Sequence, residues 1–223
     1  MPPLVSIIVP VLADREAARR LLAQIPIDLR TEIIIAEAGQ EPGLEALGDG
    51  RPDIKLIHTQ RGRARQMNAA AGLARGEWLL FLHADSRLPG DWLDLFEASA
   101  VPGAVGGWFR FALDDPAWQA RLIERGVALR VRVLKLPYGD QGLFVRRRAF
   151  AAIGGYRDMP LMEDVDFIRR LTEPGTMVEI PRALVTSARR WKRDGWFRRS
   201  ARNLALLSLY FCGVSPARLA RWY

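Results

Sequence analysis

Short unbroken apolar runs recur along the first hundred residues. VSIIV (5–9) is stopped by Pro10, EIIIA (32–36) is followed by Gly39, and EWLLFL (77–82) leads into His83-Ala84-Asp85. A strand with one face in water would alternate apolar and polar residues. These do not, so each is predicted to be buried on both faces, and residues 54–58 supply one more. Residues 15–24 and the Ala-rich stretch 62–75 have helical patterns between them. Strands of this kind alternating with helices predict an α/β fold with a parallel sheet covered on both sides.

The second half changes character. Residues 104–113 (AVGGWFRFAL) read as a strand with outward aromatics, 141–145 as a strand, and 147–153 as a helix ended by Gly154-Gly155. Residues 116–136 read as a helix, although RVRVLKL within them also alternates like a strand. A short helix over 163–171 has Pro174-Gly175 as its stop, and 177–180 form a last strand. No repeat or low-complexity linker divides the chain. The expected organisation is a domain over 1–195, with a βαβ front and a mixed back, and a basic amphipathic helical segment over 196–223.

That last segment changes the picture of charge. The net charge of +8 is uneven: residues 1–180 hold 23 Lys and Arg against 24 Asp and Glu, and residues 181–223 hold 10 against 1. LALLSLYFCGV (204–214) is apolar apart from Ser208 and is flanked by Arg198, Arg199, Arg202, Arg218 and Arg221. As a helix its eleven residues rise about 16 Å, roughly half a bilayer core, so the run cannot span a membrane. Two placements remain: packed on the domain, or lying in the interface of an anionic membrane. Nucleic acid is not expected as a partner, because the basic residues flank an apolar run instead of alternating with stacking aromatics. The opening MPPLVSIIVP has no basic leader, and the single Cys212 allows no disulfide within the chain. The expected location is cytoplasmic, peripheral on the inner face of the membrane.

Candidate chemistry gathers where the predicted strands end. In open α/β sheets ligands sit beyond the carboxyl ends of the strands. Strand one ends in Pro10-Val11-Leu12-Ala13-Asp14, strand two in Glu37, and strand four in His83 and Asp85. Asp85 suits a hard divalent cation already held by a diphosphate. Arg63 and Arg65 in GRARQMN are candidate phosphate contacts. Glu163-Asp164-Val165-Asp166 offers clustered carboxylates, which read either as a catalytic acid set or as favourable acids at a helix start.

With these segments in order, the chain resembles the family 2 glycosyltransferases, whose fold is the nucleotide-sugar-binding GT-A type with a mixed central sheet and a Rossmann-like front half. VSIIVPVLADRE resembles the family's opening strand and loop, and EIIIAEAG its second strand. RGRARQMNAAAGLARGEWLLFLHADSRLP resembles the phosphate-side helix and metal-binding strand. RRRAFAAIGGY with LMEDVDFIRRL resembles the acceptor side and catalytic acid pair, and ARRW the end of an Arg-Trp motif. GDQGLFVRRRAF, GGYRDMPLMEDVDF and the short basic tail resemble a small bacterial subgroup, some of whose members are named for lipid or carotenoid acceptors.

The resemblance implies roles. Pro10, Val11 and Leu12 would line the base and ribose pocket, Glu37 would meet the uracil edge, and Arg65 and His83 would serve the nucleotide. Asp85 would hold Mg²⁺ or Mn²⁺. Asp164, beside Glu163, would be the base, and Arg190 and Trp191 would flank the site on the acceptor side. From the residues alone, Asp140-Gln141, after Pro137-Tyr138-Gly139 and before a strand, reads either as facing the acceptor or as a plain turn. The departures are that His83 replaces the first acid of the metal-binding Asp-x-Asp, Glu37-Ala38 replaces two Asp, and Ser187 stands where the Arg-Trp motif has Gln. The implied activity is hexosyltransferase-like. Sugar passes from a nucleotide diphosphate, UDP favoured, to a hydroxyl of a lipid or membrane-proximal acceptor, with inversion. Two other readings are a sugar nucleotidyltransferase, although the loop PVLADRE lacks the glycines that class places at its phosphates, and a non-catalytic, membrane-associated nucleotide-binding module.

Overall fold

The computed structural model describes residues 2–39, 43–172 and 175–223. An eight-stranded mixed sheet forms the centre. Its strands are β1 (Val5–Val11), β2 (Thr31–Glu37), β3 (Ile54–His58), β4 (Trp78–Phe81), β5 (Ser86–Arg87), β6 (Ala104–Leu113), β7 (Phe144–Arg146) and β8 (Thr176–Thr186), in the spatial order β3-β2-β1-β4-β7-β6-β8-β5. The first four strands are parallel, with Ile8 level with both Ile34 and Phe81. β7 runs antiparallel between β4 and β6, and β5 antiparallel to β8.

The apolar runs are unbroken because both faces are covered. Ile7 and Val9 of β1, Ile33 and Ile35 of β2, and Trp78 and Leu80 of β4 enter one core, shared with α1 (Arg15–Leu22) and α3 (Trp92–Ser99). Their alternates Ile8, Ile34, Leu79 and Phe81 enter a second core. That core is closed by α2 (Arg63–Leu73), α4 (Trp118–Leu134), α5 (Arg147–Ala152) and α6 (Glu163–Thr172). Successive side chains of a strand point to opposite faces, so one run feeds two cores.

Several elements differ from their expected extents. β8 runs past Pro181, where a stop was expected after 180. The register slips there: Ile180 pairs with Phe109 and Ala183 with Arg110, so Pro181 and Arg182 form a bulge. A bulge residue owes the ladder no N–H, which is why proline is tolerated. The helix expected over 116–136 forms as α4 over Trp118–Leu134, and its alternating valines fall on opposite sides of the helix, Val131 buried and Val133 exposed. The expected 141–145 strand begins at Phe144, because Gly139–Gln141 is a 3₁₀ turn. Pro174 lies outside the described residues.

After α7 (Arg189–Asp194) the chain forms α8 (Trp196–Phe211) and α9 (Pro216–Ala220). α8 packs on the domain along one side: Leu206 and Leu207 are buried, and so are Arg199 and, on α9, Leu219. Its other side exposes Phe197, Leu204 and Phe211, beside Trp118, Leu122, Leu129 and Val133 of α4. The rings of Trp118 and Phe197 lie 5.8 Å apart, joining the two helices into one exposed apolar face. Among the described residues, no helix is long and apolar enough to cross a membrane.

Candidate active site

Two cavities adjoin at the carboxyl edge of the sheet. The larger, about 310 Å³, lies between Pro10, Val11 and Leu12 at the end of β1 and His83, Ala84 and Asp85 just past β4. The strand order reverses between these neighbours, with β2 on one side of β1 and β4 on the other. A crevice opens at such a switch point because successive connections leave in opposite directions. Arg61, Gly62 and Arg63, where α2 begins, line the same cavity, so the exposed N–H groups and positive pole of that helix suit an anion. Gln66, one turn on, is buried. Its carboxamide donates to the carbonyls of Val11 (2.8 Å) and Ala36 (2.7 Å) and pins the loop after β1.

The smaller cavity, about 120 Å³, shares Arg63, His83, Asp85 and Arg190 with the first. Its far side is formed by Tyr138 and Asp140, by Met162, Glu163 and Asp164, by Trp191, and by Arg199, Asn203 and Leu206 of α8. Met162 holds a left-handed backbone (φ +66°), uncommon for a residue with a side chain, and turns the chain so that Glu163 and Asp164 open α6 inside the cavity. Asp164 accepts hydrogen bonds from the N–H of Gly139 (2.9 Å) and of Val165 (2.8 Å). A Cβ at position 139 would stand 3.1 Å from Nε2 of His83, a tight contact, and 3.6 Å from Asp164 Oδ2. His83 and Asp164 therefore converge on one point of the chain.

The electrostatics are of opposed charges held close together. Glu163 is buried, and its carboxyl is raised above the usual range by burial and by Asp164, against the pull of Arg63, which donates to it at 3.0 Å. Burial pushes Asp140 up to about 6, with Asp164 and Asp85 adding to the rise and Arg130 and Arg63 opposing it. His83 is held well below its ordinary value by burial and by the guanidiniums of Arg63 and Arg190, which keeps the imidazole neutral. Arg190 has no ion-pair partner among the described residues and stands where the cavities meet. Arg189 bridges Asp14 and Asp85, the latter at 3.5 Å.

The structure brings together Pro10, Val11, Leu12, His83, Asp85, Asp140, Glu163, Asp164, Arg190 and Trp191. It places three named residues elsewhere. Arg65 turns to the surface and pairs with Asp158 at 2.7 Å, while Arg63 faces the cavities. Residues two apart on a helix point to opposite sides. Glu37 is buried, with its carboxylate bound to the Gly39 N–H and to Nδ1 of His58. Gln141 is buried as well, accepting from Arg130 (3.1 Å) and Tyr138 N–H (3.2 Å) and so fixing the 3₁₀ turn that presents Asp140. Asp166 is likewise directed away, to Arg157 and Arg170, so the carboxyls that share the cavity with Asp164 are Asp85, Asp140 and Glu163. The sequence reading missed Tyr138, Asn203 and Arg189. Arg189 had a signal in ARRW, whereas Asn203 sits in a helix whose apolar run hid it.

A divalent cation would find two donors at this edge: the carboxylate of Asp85 and the unprotonated imidazole of His83. Among the described residues no cluster of three or more His, Cys, Asp or Glu is placed to hold a metal. Such a pair fits a cation that takes its remaining ligands from a diphosphate and water.

Comparison with known proteins bears on the fold and the family. In solved structures the chain is similar to TarS 1–349 of S. aureus, at 14% identity and a TM-score of 0.60, covering 98% of this chain and 68% of that one. It is also similar to glucosyl-3-phosphoglycerate synthase from Mycobacterium tuberculosis, at 13% identity and a TM-score of 0.54, covering 81% and 71%. That protein was crystallised with Mn²⁺, UDP and glucosyl-3-phosphoglycerate, and in another crystal with Mg²⁺ and UDP. These likenesses give the fold, which is of GT-A type. No curated protein matches the sequence. The family model described as Glycosyl transferase family 2 matches residues 6–154, two thirds of the chain and the lining of the switch-point crevice apart from Arg189 and Arg190, and the protein belongs to that family.

Proposed function

We propose that the protein transfers a sugar from a nucleotide diphosphate, with UDP the favoured nucleotide, to an acceptor hydroxyl by direct displacement with inversion. The observation that carries this reading is the pair of joined cavities, with a cationic helix start on one side, a carboxylate base on the other, and Arg63, His83, Asp85 and Arg190 between them. The nucleotide lies in the larger cavity against Pro10, Val11 and Leu12. Its diphosphate meets the start of α2, Arg63 and Arg190. A divalent cation held by Asp85 and His83 would supply further neutralisation of the diphosphate, as the Mn²⁺ and Mg²⁺ of the mycobacterial synthase suggest.

Asp164 takes the proton of the acceptor hydroxyl as its oxygen attacks the anomeric carbon. The bond from that carbon to the phosphate oxygen breaks, and the nucleoside diphosphate leaves with the electron pair. Preorganised guanidiniums at the leaving group lower the barrier without reorganising during the reaction. Glu163 holds Arg63 in place by its buried ion pair.

A membrane-proximal acceptor, as the lipid-named subgroup suggests, is supported by the exposed apolar face of α4 and α8, with Arg125, Arg132 and Arg198 exposed along it. The segment 196–223 then has two roles: Arg199, Asn203 and Leu206 close the acceptor cavity, and Phe197, Leu204 and Phe211 face the bilayer from the cytoplasmic side. Nuclear magnetic resonance of the glycoside formed from an α-linked donor tests the displacement. A β-linked product is expected, and an α-linked product would refute inversion.

A further inference from the structure

A third cavity meets the 3₁₀ turn at Gln141, where the smaller cavity meets it at Tyr138 and Asp140. It is a groove of about 760 Å³, larger than either cavity of the candidate site, between α4 and the strands β6 and β8. Sites that bury most of a small ligand occupy roughly 300–1,000 Å³. Its floor is apolar: Trp108, Phe111 and Val131 are buried there, with Val127 and Met177 partly covered beside them.

The rim is basic. Arg110, Arg121, Arg125, Arg132 and Lys135 line it against two acids, Glu124 and Glu179. Both acids are already engaged, Glu179 with Arg110 at 2.7 Å and Glu124 with Arg121 at 2.8 Å. The side chains of Arg125, Arg132 and Lys135 are exposed and have no ion-pair or hydrogen-bond partner among the described residues. Positions 121, 125, 128, 132 and 135 recur every three or four residues and so share one side of α4. Trp118, Leu122, Leu129 and Val133 form the adjacent side and are exposed. The helix therefore sets a row of cations between the groove and an apolar row that faces solvent.

These groups define a ligand. A free anion would leave the apolar floor uncovered, and a neutral lipid would leave three cations without a counter-charge. An acidic peptide would leave the apolar row beyond the cations unused. An anionic amphiphile uses all of them. We infer that the groove binds one anionic phospholipid, with its phosphate between Arg125 and Arg132, Lys135 beside them, and an acyl chain along Trp108, Phe111 and Val131. Arg125 and Arg132 stand two turns apart, about 10 Å along the axis, a gap that two long guanidinium side chains close from either end. Arg63, Asp85 and Asp164 do not line this groove, so the lipid held there is an anchor and not the acceptor. Such a site gives the face formed by α4 and α8 a preference among lipids that its apolar residues alone do not provide.

The test uses the full chain and dihexanoyl phosphatidylglycerol below its micelle concentration, so that no bilayer is present, with binding followed by calorimetry. The comparison ligands are dihexanoyl phosphatidylcholine, which has the chains without the net charge, and glycerol 3-phosphate, which has the charge without the chains. Saturable binding of one phosphatidylglycerol per chain is expected, tighter than that of either comparison ligand. Arg125→Gln with Arg132→Gln should weaken it about tenfold, the partly screened worth of two basic residues at an anionic head group. Arg218→Gln with Arg221→Gln removes two equally exposed charges outside the groove and should leave it unchanged. Thermal midpoints of both double variants check that the fold is kept, and Arg132→Gln alone carries the comparison if the first is not. Absence of saturable binding, equal affinity for either comparison ligand, or equal affinities of the two double variants would each overturn the inference. No nucleotide sugar enters these measurements, so their failure is separate from any failure of the glycosyltransferase reading.

Discussion

Asp140→Asn should stabilise the protein, by an amount that grows through the acid range and is complete at neutral pH. The carboxyl of Asp140 is raised from 3.8 to about 6, chiefly by burial. A raised acid binds its proton more tightly in the folded chain than in the unfolded one. Its favourable contribution is therefore complete below pH 3.8 and is lost as pH rises through about 6. The shift is about 2 units at 1.36 kcal/mol each, so ionised Asp140 costs the fold about 3 kcal/mol at pH 8. Asparagine has the same shape and no charge at any pH, and Oδ1 has no partner to lose. The gain should be close to zero at pH 4, grow between pH 4 and 6, and level off above pH 7. For a chain of this size that corresponds to an increase of roughly 5–10 °C in the thermal midpoint at pH 8. Thermal and urea unfolding of both proteins without metal, from pH 4 to 8, measures it, and titrating groups distant from Asp140 cancel in the difference. A gain independent of pH, or a loss at pH 8, would refute the placement of this carboxyl among burial, Asp164 and Asp85. A site group that destabilises the empty fold is retained for what it does with ligand.

Arg189 competes for the cation site, because its guanidinium lies between Asp14 and Asp85. Arg189→Gln should tighten Mn²⁺ binding to the free protein by about threefold to tenfold, a charge effect reduced by solvent. Electron paramagnetic resonance of unbound Mn²⁺ reads it directly, and weaker binding would show that Asp85 does not hold the metal. For the membrane face, deletion of residues 196–223 is the wrong test, since it strips Leu206 and Leu207 from the core. The triple change Phe197→Ser, Leu204→Ser and Phe211→Ser leaves those residues in place and should abolish flotation with anionic vesicles at low salt. Equal flotation of both proteins would remove this face from the account.

The parallel front half was legible because strands buried on both faces leave an unmistakable mark, an apolar run without alternation. The back half was less so. β8 crosses Pro181 by a bulge, and a bulge depends on the partner strand, which local sequence does not reveal. α4 satisfies two periodicities at once, and only packing against β6 resolves them. At the candidate site, the strand-end residues His83 and Asp85 could be anticipated, since a parallel sheet gathers its carboxyl ends on one edge. The choice between Arg63 and Arg65 depended on the rotation of α2, which Gln66 betrays in retrospect: it lies one turn from Arg63 and on its side. The same geometry separates Asp164 from Asp166. Asn203 could not be read, because its importance comes from the folding of α8 back over residues 138–164, a contact distant in sequence.

The measurement closest to the central claim is the effect of Asp164→Asn on turnover and on nucleotide binding, made side by side with a UDP-sugar and Mn²⁺. The substitution keeps shape and, with its oxygen turned to Gly139, the acceptance from that N–H; it gives up the second acceptance, from the N–H of Val165, together with basicity. Turnover should fall by roughly 10² or more, as expected for loss of a general base. UDP affinity should be nearly unchanged, because Asp164 lies in the smaller cavity and the nucleotide in the larger. Turnover equal to that of the unmodified protein would contradict the assignment of the base, and failure of the unmodified protein to bind any nucleotide sugar would contradict the account as a whole.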